Sequence, residues 1–379
     1  MEFQVARTPF LKTLYRIQSL VDRRNTLAIL GNVHLLTRDG YLQVEATNLE
    51  VSLRTRCEAE IIEPGAITLN AKMLFDVVSE LPEHETVLLR TGHPETSGRD
   101  RVRLSCGRAK FELAGMPSDQ FPTIPQADGA YRFLLDPGLL AEMLAKTHFA
   151  MSDDETRYAL NGLFFQVSPS EVEGEGILRL VATDSHRLAM VQRQVPNLPT
   201  EERGVIIPKK AVQEIRRVLE EESQPVELIV DGNYIQLIRP EVMLVAKLVE
   251  GRFPDYRRVI PQGNPLHLRV DREQLLGVVR RMSVLSHEKS RGIRLEIDGD
   301  LMRFNTNNPE QELAEEEMAV SLEGGKSLEV GFNARYLREF LSVMEGDEVS
   351  FFMSPEDLPV LLTDPGQRGT QFVLMPMSV

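Results

Sequence analysis

The chain has 379 residues, enough for two or three domains of ordinary size. Its content of 42% apolar and 26% charged residues excludes wholesale disorder. With 43 Lys and Arg against 57 Asp and Glu, the formal charge of −14 argues against a conventional nucleic-acid binder, whose surface carries excess basic charge.

The first residues, Met1-Glu2-Phe3-Gln4-Val5-Ala6-Arg7, lack the apolar core of a signal peptide. A first helix is predicted over 8–23, with Phe10, Leu11, Leu14, Ile17, Leu20 and Val21 on one face and Lys12 and Arg16 on another. Alternating strands follow, one of them at 42–46, running into a small–Thr–polar step, Ala46-Thr47-Asn48. A strand at 68–70 leads into a second helix beginning at Ala71. Residues 102–106 read as a further strand, with the polar stretch Gly92–Asp100 as a hairpin tip. The stretch closes on Gly115-Met116-Pro117 and Phe121-Pro122.

The same order returns twice. Leu139, Leu140, Met143 and Leu144 mark a helix; Ala182-Thr183-Asp184 is the polar step; strand 205–208 runs into helix 209–219; strand 228–230 precedes Gly251-Arg252-Phe253-Pro254. In the third copy the helix carries Leu275, Val278, Val279, Met282 and Leu285, and the step is Asn305-Thr306-Asn307. Strand 328–333 then enters a helix at Ala334, with Asn333 suited to cap it, and Met375-Pro376-Met377 closes the copy. Landmarks recurring every ~120–140 residues predict three similar domains at 1–127, 128–257 and 258–379. The fold class is α+β, with antiparallel sheets and two helices per domain packed on one sheet face.

The charge is unevenly placed. The six predicted helices hold 14 basic and 12 acidic side chains, leaving 29 and 45 elsewhere, so the helices carry +2 and the remainder −16. On helix 209–219, Lys209, Lys210, Arg216 and Arg217 lie opposite Val212, Ile215, Val218 and Leu219. Arg280 and Arg281 lie off the apolar stripe of the fifth helix. One such face suits solvent alone. Repeated over several helices, it predicts a shared basic surface for sequence-independent, salt-sensitive phosphate contacts.

Catalytic patterns are sparse. Cys57 and Cys106 form neither a disulfide framework nor a CxxC pair, and the seven histidines show no metal-ligand spacing. Ser286-His287-Glu288-Lys289 matches SxxK, but no KTG accompanies it. Asp184, Ser185 and His186 are neighbours, which point apart on a strand and cannot form a relay. Glu310, Glu312, Glu315, Glu316 and Glu317 read as a solvated or partner-facing acidic strand. No catalytic residue, metal or cofactor is expected. No apolar run approaches the ~20 residues of a membrane span, and a reducing cytoplasm is the expected location.

Several strings carry a resemblance. They are Thr183-Asp184-Ser185-His186-Arg187-Leu188, the run from Lys247 to Arg258, Asn307-Asn308-Pro309-Glu310-Gln311-Glu312 and Met375-Pro376-Met377. Arg157–Gly162 and Leu27–Asn32 fit with them. The chain resembles, over its whole length, the bacterial DNA polymerase III beta subunit family of sliding clamps. The resemblance implies three clamp domains per chain and a head-to-tail homodimeric ring with helices lining its hole. Duplex DNA would thread through without sequence readout, leaving the clamp as a processivity factor without chemistry of its own.

The resemblance further implies DNA contacts at Arg24, Lys209, Lys210 and Tyr158, to which Lys12, Arg16 and Lys72 are added. It implies a groove for short linear peptides of the replicative polymerase, clamp loader and repair proteins. Leu160, Thr183, His186, Leu188, Pro254, Val259, Val373 and Met375 would form its deeper part. Arg157, Tyr158, Asn333, Tyr336, Pro376 and Met377 would form the shallower part, with Arg187 and Arg258 alongside. The subunit contact would join Arg103, Arg108 and Lys110 on an edge strand of the first domain to Glu310, Glu312, Glu315 and Glu316 of the third. Val284 and Leu285 would add apolar contacts there. Ala159, where some members have Tyr, Ser185, where Gly is common, and Asp154 depart from the pattern, and Ser378-Val379 lacks a basic terminal residue. The rival readings are a repeat-built scaffold that does not encircle DNA and a hydrolase using Ser286 and Lys289.

Overall fold

Six α-helices form where the apolar periodicity places them. The computed structural model describes residues 1–21, 27–92, 100–129, 131–198, 201–220, 224–287, 290–325, 327–355 and 358–378. Helix α1 spans Arg7–Gln18 and buries Phe10, Leu14 and Ile17. It stops short of residue 23 because the chain turns after Gln18: the Leu20 amide donates to the Ile17 carbonyl at 3.1 Å, which folds Leu20 into the core. Helix α2, Ala71–Ser79, is capped by the Asn70 side chain, which accepts from the Met73 amide at 2.9 Å. Helix α3, Pro137–Ala145, contains Leu139, Leu140, Met143 and Leu144, and a 3₁₀ turn at His148–Ala150 follows it. Thr147 donates its hydroxyl to the Met143 carbonyl at 2.8 Å and so satisfies one of the acceptors that a helix end leaves open. Helices α4 (Lys209–Glu220), α5 (Arg272–Met282) and α6 (Ala334–Val343) complete the set. Asp271 caps α5 through the Gln274 amide at 2.8 Å, and Asn333 caps α6 through the amides of Arg335 and Tyr336 at 3.0 and 3.3 Å.

The described chain divides into two compact units, residues 1–139 with 210–248 and residues 140–209 with 249–379. The first holds a 13-stranded sheet and the second a 9-stranded and a 4-stranded sheet. Pairing is antiparallel, as the alternating strand patterns require. Both large sheets cross the boundaries between the repeats. In the first unit, Val242–Lys247 pairs with Val51–Glu58; in the second, Arg187–Pro196 pairs with Thr370–Leu374.

The repeated polar step is a repeated turn. Strands Tyr41–Thr47, Glu175–Thr183 and Leu301–Asn307 all end at it. In the first two copies the geometry coincides bond for bond. Thr47 donates to the Val51 carbonyl at 3.3 Å and accepts from the Leu49 amide at 3.0 Å; Thr183 does the same with Arg187 and Ser185 at 2.6 and 3.2 Å. Asn48 Oδ1 accepts from the amides of Glu50 and Val51, as Asp184 Oδ1 does from His186 and Arg187. The third residue of each turn has a left-handed backbone, Leu49 at φ 76° and Ser185 at φ 79°.

One expected placement is corrected by the pairing. Strand Arg101–Cys106 is not an edge: it lies between Thr86–Thr91 and Ala109–Met116. The tight turn at Gly107-Arg108, with Gly107 at φ 55°, folds the next strand back on it and leaves residues 109–114 outermost. Arg103 is therefore interior to the sheet, facing Glu112 across the ladder at 3.4 Å. Lys110 stands on the stretch 109–114, which pairs only with Arg101–Cys106 while residues 115–116 of the same strand pair with Ala66–Asn70, and Arg108 stands in the turn.

Candidate functional site

The residues expected to line a peptide groove all belong to the second unit. Their frame is the turn at residues 183–187. Met375 donates its amide to the His186 carbonyl at 2.9 Å, and Met377 donates to the Gly331 carbonyl at 3.0 Å. These two bonds bring the chain's last described residues beside that turn and the strand that enters α6. Leu188 and Val373 are direct partners across the ladder and fully buried, in a cluster with Val181, Met190 and Tyr256. Phe164, Phe253 and Val259 pack partly buried against that cluster.

Above this apolar floor the side chains are progressively more open. Leu160, Thr183, Met375, Pro376 and Met377 are half-buried, whereas Arg157, Tyr158, His186, Pro254 and Arg258 are exposed. Arg157 donates to Ser185 Oγ at 3.2 Å, and Arg258 pairs with Asp255 at 2.9 Å. Asn333 spends its side chain on the α6 cap and on the Ser290 carbonyl at 3.2 Å. Tyr336 is half-buried, and burial raises its phenol above the ordinary tyrosine value. A recess of about 260 Å³ opens between Asp153, Asp154, Arg157, His186, Arg335 and Tyr336.

Arg187 is not an open groove contact. It is 4% exposed and holds the turn from within. Its guanidinium pairs with Asp184 at 3.0 Å and with Glu339, donates to the Phe149 carbonyl and lies 4.2 Å from the Tyr336 ring centre. The sequence marked this residue by motif, and its burial follows from four partners that converge only in the fold.

The basic candidates are differently placed. Arg24 lies outside the described residues. Lys12 is exposed on α1, but Arg16 is corrected: its side chain is only 6% exposed and pairs with Glu241 at 3.3 Å. Lys72 is exposed, 3.9 Å from Asp76. Lys209 is paired with Asp153, and that hydrogen bond is the main cause holding the Asp153 carboxyl below its ordinary value. Lys210 is half-buried, and Tyr158 is 73% exposed. Periodicity alone missed Glu214, which lies on the buried face of α4 and accepts from Ser19 at 2.7 Å and Arg217 at 3.0 Å. Its position between Val212 and Ile215 was the available signal.

The second open edge is strand Leu313–Ala319, which pairs on one side only, with Leu301–Asn307. Glu315 and Glu317 are exposed with Leu313, Glu317 lying 3.8 Å from Arg303, whereas Glu316 is bound by Arg281 of the same chain at 2.9 Å. Glu316 is thus spent internally. Glu310 and Glu312 occupy the preceding turn, where Asn308 donates to Glu312 at 2.6 Å. Val284 is 79% exposed and Leu285 half-buried. Of the SxxK pattern, Ser286 donates to the Ser283 carbonyl at 3.0 Å, and Lys289 lies outside the described residues. Among the described residues no cluster of three or more His, Cys, Asp or Glu is placed to hold a metal ion, and no helix is long and apolar enough to cross a membrane.

Comparison with known proteins gives one result throughout. The family models for the N-terminal, central and C-terminal domains of the DNA polymerase III beta subunit match residues 1–125, 135–255 and 257–378. The beta sliding clamp of Pseudomonas aeruginosa is 36% identical over 381 residues, and that of Escherichia coli 34% over 381, each alignment covering all of both chains. The crystal structure of the P. aeruginosa subunit superposes with a TM-score of 0.92 at 36% identity over the whole of both chains. The Caulobacter crescentus pol III beta structure gives 0.93 at 36%, again over the whole of both chains.

Proposed function

Because the chain belongs to the bacterial DNA polymerase III beta subunit family, the sliding clamps, we propose that two copies close head to tail into a ring around duplex DNA. The ring would tether the replicative polymerase, without catalysis of its own and in the cytoplasm. The observation that carries this reading is the pair of open sheet edges. One unit offers residues 109–114, where Glu112 is paired with Arg103 and Lys110 is left, with Arg108 at the turn; the other offers Leu313–Ala319 with Glu315 and with Glu317, the latter 3.8 Å from Arg303. Opposite charges on two unpaired strand edges favour pairing of unlike edges and oppose pairing of like ones. Two copies of one such contact close a two-fold ring.

The domain division proposed is 1–127, 128–257 and 258–379. DNA contacts are assigned to Arg24, Lys12, Lys72, Tyr158, Lys209 and Lys210, and partner peptides to the groove above Leu188 and Val373. Polymerase, clamp loader and repair proteins would share that groove, since the Met-lined tail repacks around related peptides. A protein held by topology needs little affinity, so a chain of −14 charge can still serve DNA. The test is retention on DNA after loading. Nicked circular DNA should keep the protein and linearised DNA should shed it within the same interval; equal retention on both overturns the ring.

A further inference from the structure

A buried polar network in the first repeat stands where the second repeat is apolar. His34 is the third residue of strand Asn32–Arg38 and pairs across the ladder with Glu45; Phe164 is the third residue of strand Gly162–Pro169 and pairs with Val181. Glu45 and Val181 each lie two residues before the threonine of the repeated turn. Phe121 stacks on His34 with ring centres 4.8 Å apart, as Phe253 stacks on Phe164 at 4.9 Å. The second repeat shows that an aromatic–aliphatic pair fills this place. Burying a carboxylate and an imidazole there instead carries a desolvation cost, so packing alone does not account for the exchange.

The hydrogen bonds of the network fix a direction. Glu45 Oε1 accepts from Arg54 Nε at 2.6 Å and from Gln43 Nε2 at 2.9 Å, while Oε2 meets His34 Nδ1 at 3.0 Å. A carboxylate held ionised by such donors can only accept, so the imidazole proton sits on Nδ1. In the neutral ring Nε2 is then an acceptor, and the Ser118 hydroxyl 2.7 Å away is its donor. A hydroxyl bonded to an imidazole whose other nitrogen is oriented by a carboxylate is the arrangement that activates a serine nucleophile. His34 is 8% exposed and Glu45 5%, whereas Ser118 is half-buried and its two following residues are exposed. The base is shielded from water, and the hydroxyl stands at the surface.

We propose that Ser118 is a covalent modification site, acylated by uncharged activated esters, with His34 as its base and Glu45 as the positioning residue. Ser118 Oγ attacks the ester's carbonyl carbon and forms the new C–O bond as its proton passes to His34 Nε2. The bond from that carbon to the leaving oxygen then breaks, and the proton departs with the leaving alcohol. The products are O-acyl-Ser118 and one free alcohol. The exposed carboxylate of Asp119, next in the chain, disfavours an anionic donor. The modification is stoichiometric, and it uses no residue assigned to the ring contact, the DNA contacts or the groove.

The test treats the full-length wild type with p-nitrophenyl acetate and maps acetylated serines by peptide mass spectrometry. The internal reference is Ser342, which is exposed and donates its hydroxyl to the Arg338 carbonyl, with no imidazole bonded to it. Ser118 should be acetylated about 10²-fold faster than Ser342, the contribution of a positioned general base. Equal rates, or no adduct at Ser118, overturn the proposal. In urea sufficient to unfold the chain, Ser118 should fall to the rate of Ser342; a ratio that survives unfolding overturns the relay. His34→Gln, once a thermal melt shows that it folds, should abolish the advantage, and an unchanged ratio excludes His34 as the base. Folded Glu45→Gln should lower the ratio and shift the downfield proton resonance of His34 Nδ1–H together; a shifted resonance with an unchanged ratio overturns the positioning role.

Discussion

Single residues decide how the turn at residues 183–187, the frame of the proposed groove, is held. Arg187 joins Asp184, Glu339, the Phe149 carbonyl and the Tyr336 ring, so Arg187→Ala leaves two carboxylates with a lost partner inside the protein. The expected cost is about 3–5 kcal/mol, read as a lowered midpoint in urea unfolding; a variant that melts like the wild type would contradict the strut. Ser185 holds a left-handed backbone at φ 79°, which a β-branched side chain resists. Ser185→Val should destabilise by about 1–2 kcal/mol, whereas Ser185→Gly should be tolerated, a contrast that thermal unfolding resolves. A second buried network lies in the first repeat. His34 contacts Ser118 at 2.7 Å and Glu45 at 3.0 Å, while Arg54 and Gln43 donate to Glu45 at 2.6 and 2.9 Å. Burial alone would raise the Glu45 carboxyl, but the hydrogen bonds from His34 and Arg54 outweigh it and hold the group below its ordinary value. A carboxyl with a depressed folded-state pKa stabilises the protein above its unfolded-state pKa, and that stability is lost as pH falls through the folded value. Glu45→Gln should therefore cost about 1–3 kcal/mol at neutral pH, and the difference from wild type should shrink in acid below the usual carboxylate range. A pH-independent difference in urea unfolding would refute the assignment.

At the scale of elements, what was legible in the sequence was what repeats. The pair of helices, the strand into each second helix and the small–Thr–polar step recur three times, although the turn geometry is shared only by the first two copies, Thr306 donating instead to the Gly292 carbonyl. Helix ends were less legible, because the stop of α1 at Gln18 depends on a local turn rather than on apolar spacing. Edge and interior strands were not distinguishable either. Arg103 and Lys110 stand on adjacent strands of similar pattern, and only the tight turn at Gly107 decides which is outermost. Buried charge was the least visible: Arg187, Arg16 and Glu214 look like surface residues until the partners of each, distant in sequence, are in place. The groove residues were found through motif resemblance, since nothing in composition links residues 183–188 to the last strand. That strand makes the groove testable as an element. Met375→Ala combined with removal of residues 377–379 takes away the half-buried tail that lies against His186 and Gly331. Affinity for a partner-derived peptide should fall by at least 2 kcal/mol, about thirtyfold, by calorimetry, with self-association unchanged in sedimentation. Unaltered peptide affinity would remove the tail from the groove.

For the molecule as a whole, the charge imbalance becomes a pattern of surfaces. The acidic excess includes an outer strand edge at Glu315 and Glu317, opposite in sign to Lys110 and Arg108 on the other edge, where Glu112 is paired with Arg103. Lys110→Glu should weaken self-association by about 1 kcal/mol, more at low salt than at high. Adding Glu315→Lys to the same chain should restore it, and a double variant no stronger than the single one would exclude this pairing of edges. The continuity of the sheets has a mechanical consequence. The junction between the N-terminal and central domains is a ladder of five residue pairs, Val242 to Ala246 against Thr55 to Val51, and that between the central and C-terminal domains is another five, Arg187 to Val191 against Leu374 to Thr370. Backbone ladders inside a folded chain yield together or not at all, whereas a contact between two chains has only its side chains and one short edge to resist a pull. In a ring closed as proposed, strain would meet a five-pair backbone ladder at each junction within a chain, so the seam between copies would be expected to part first.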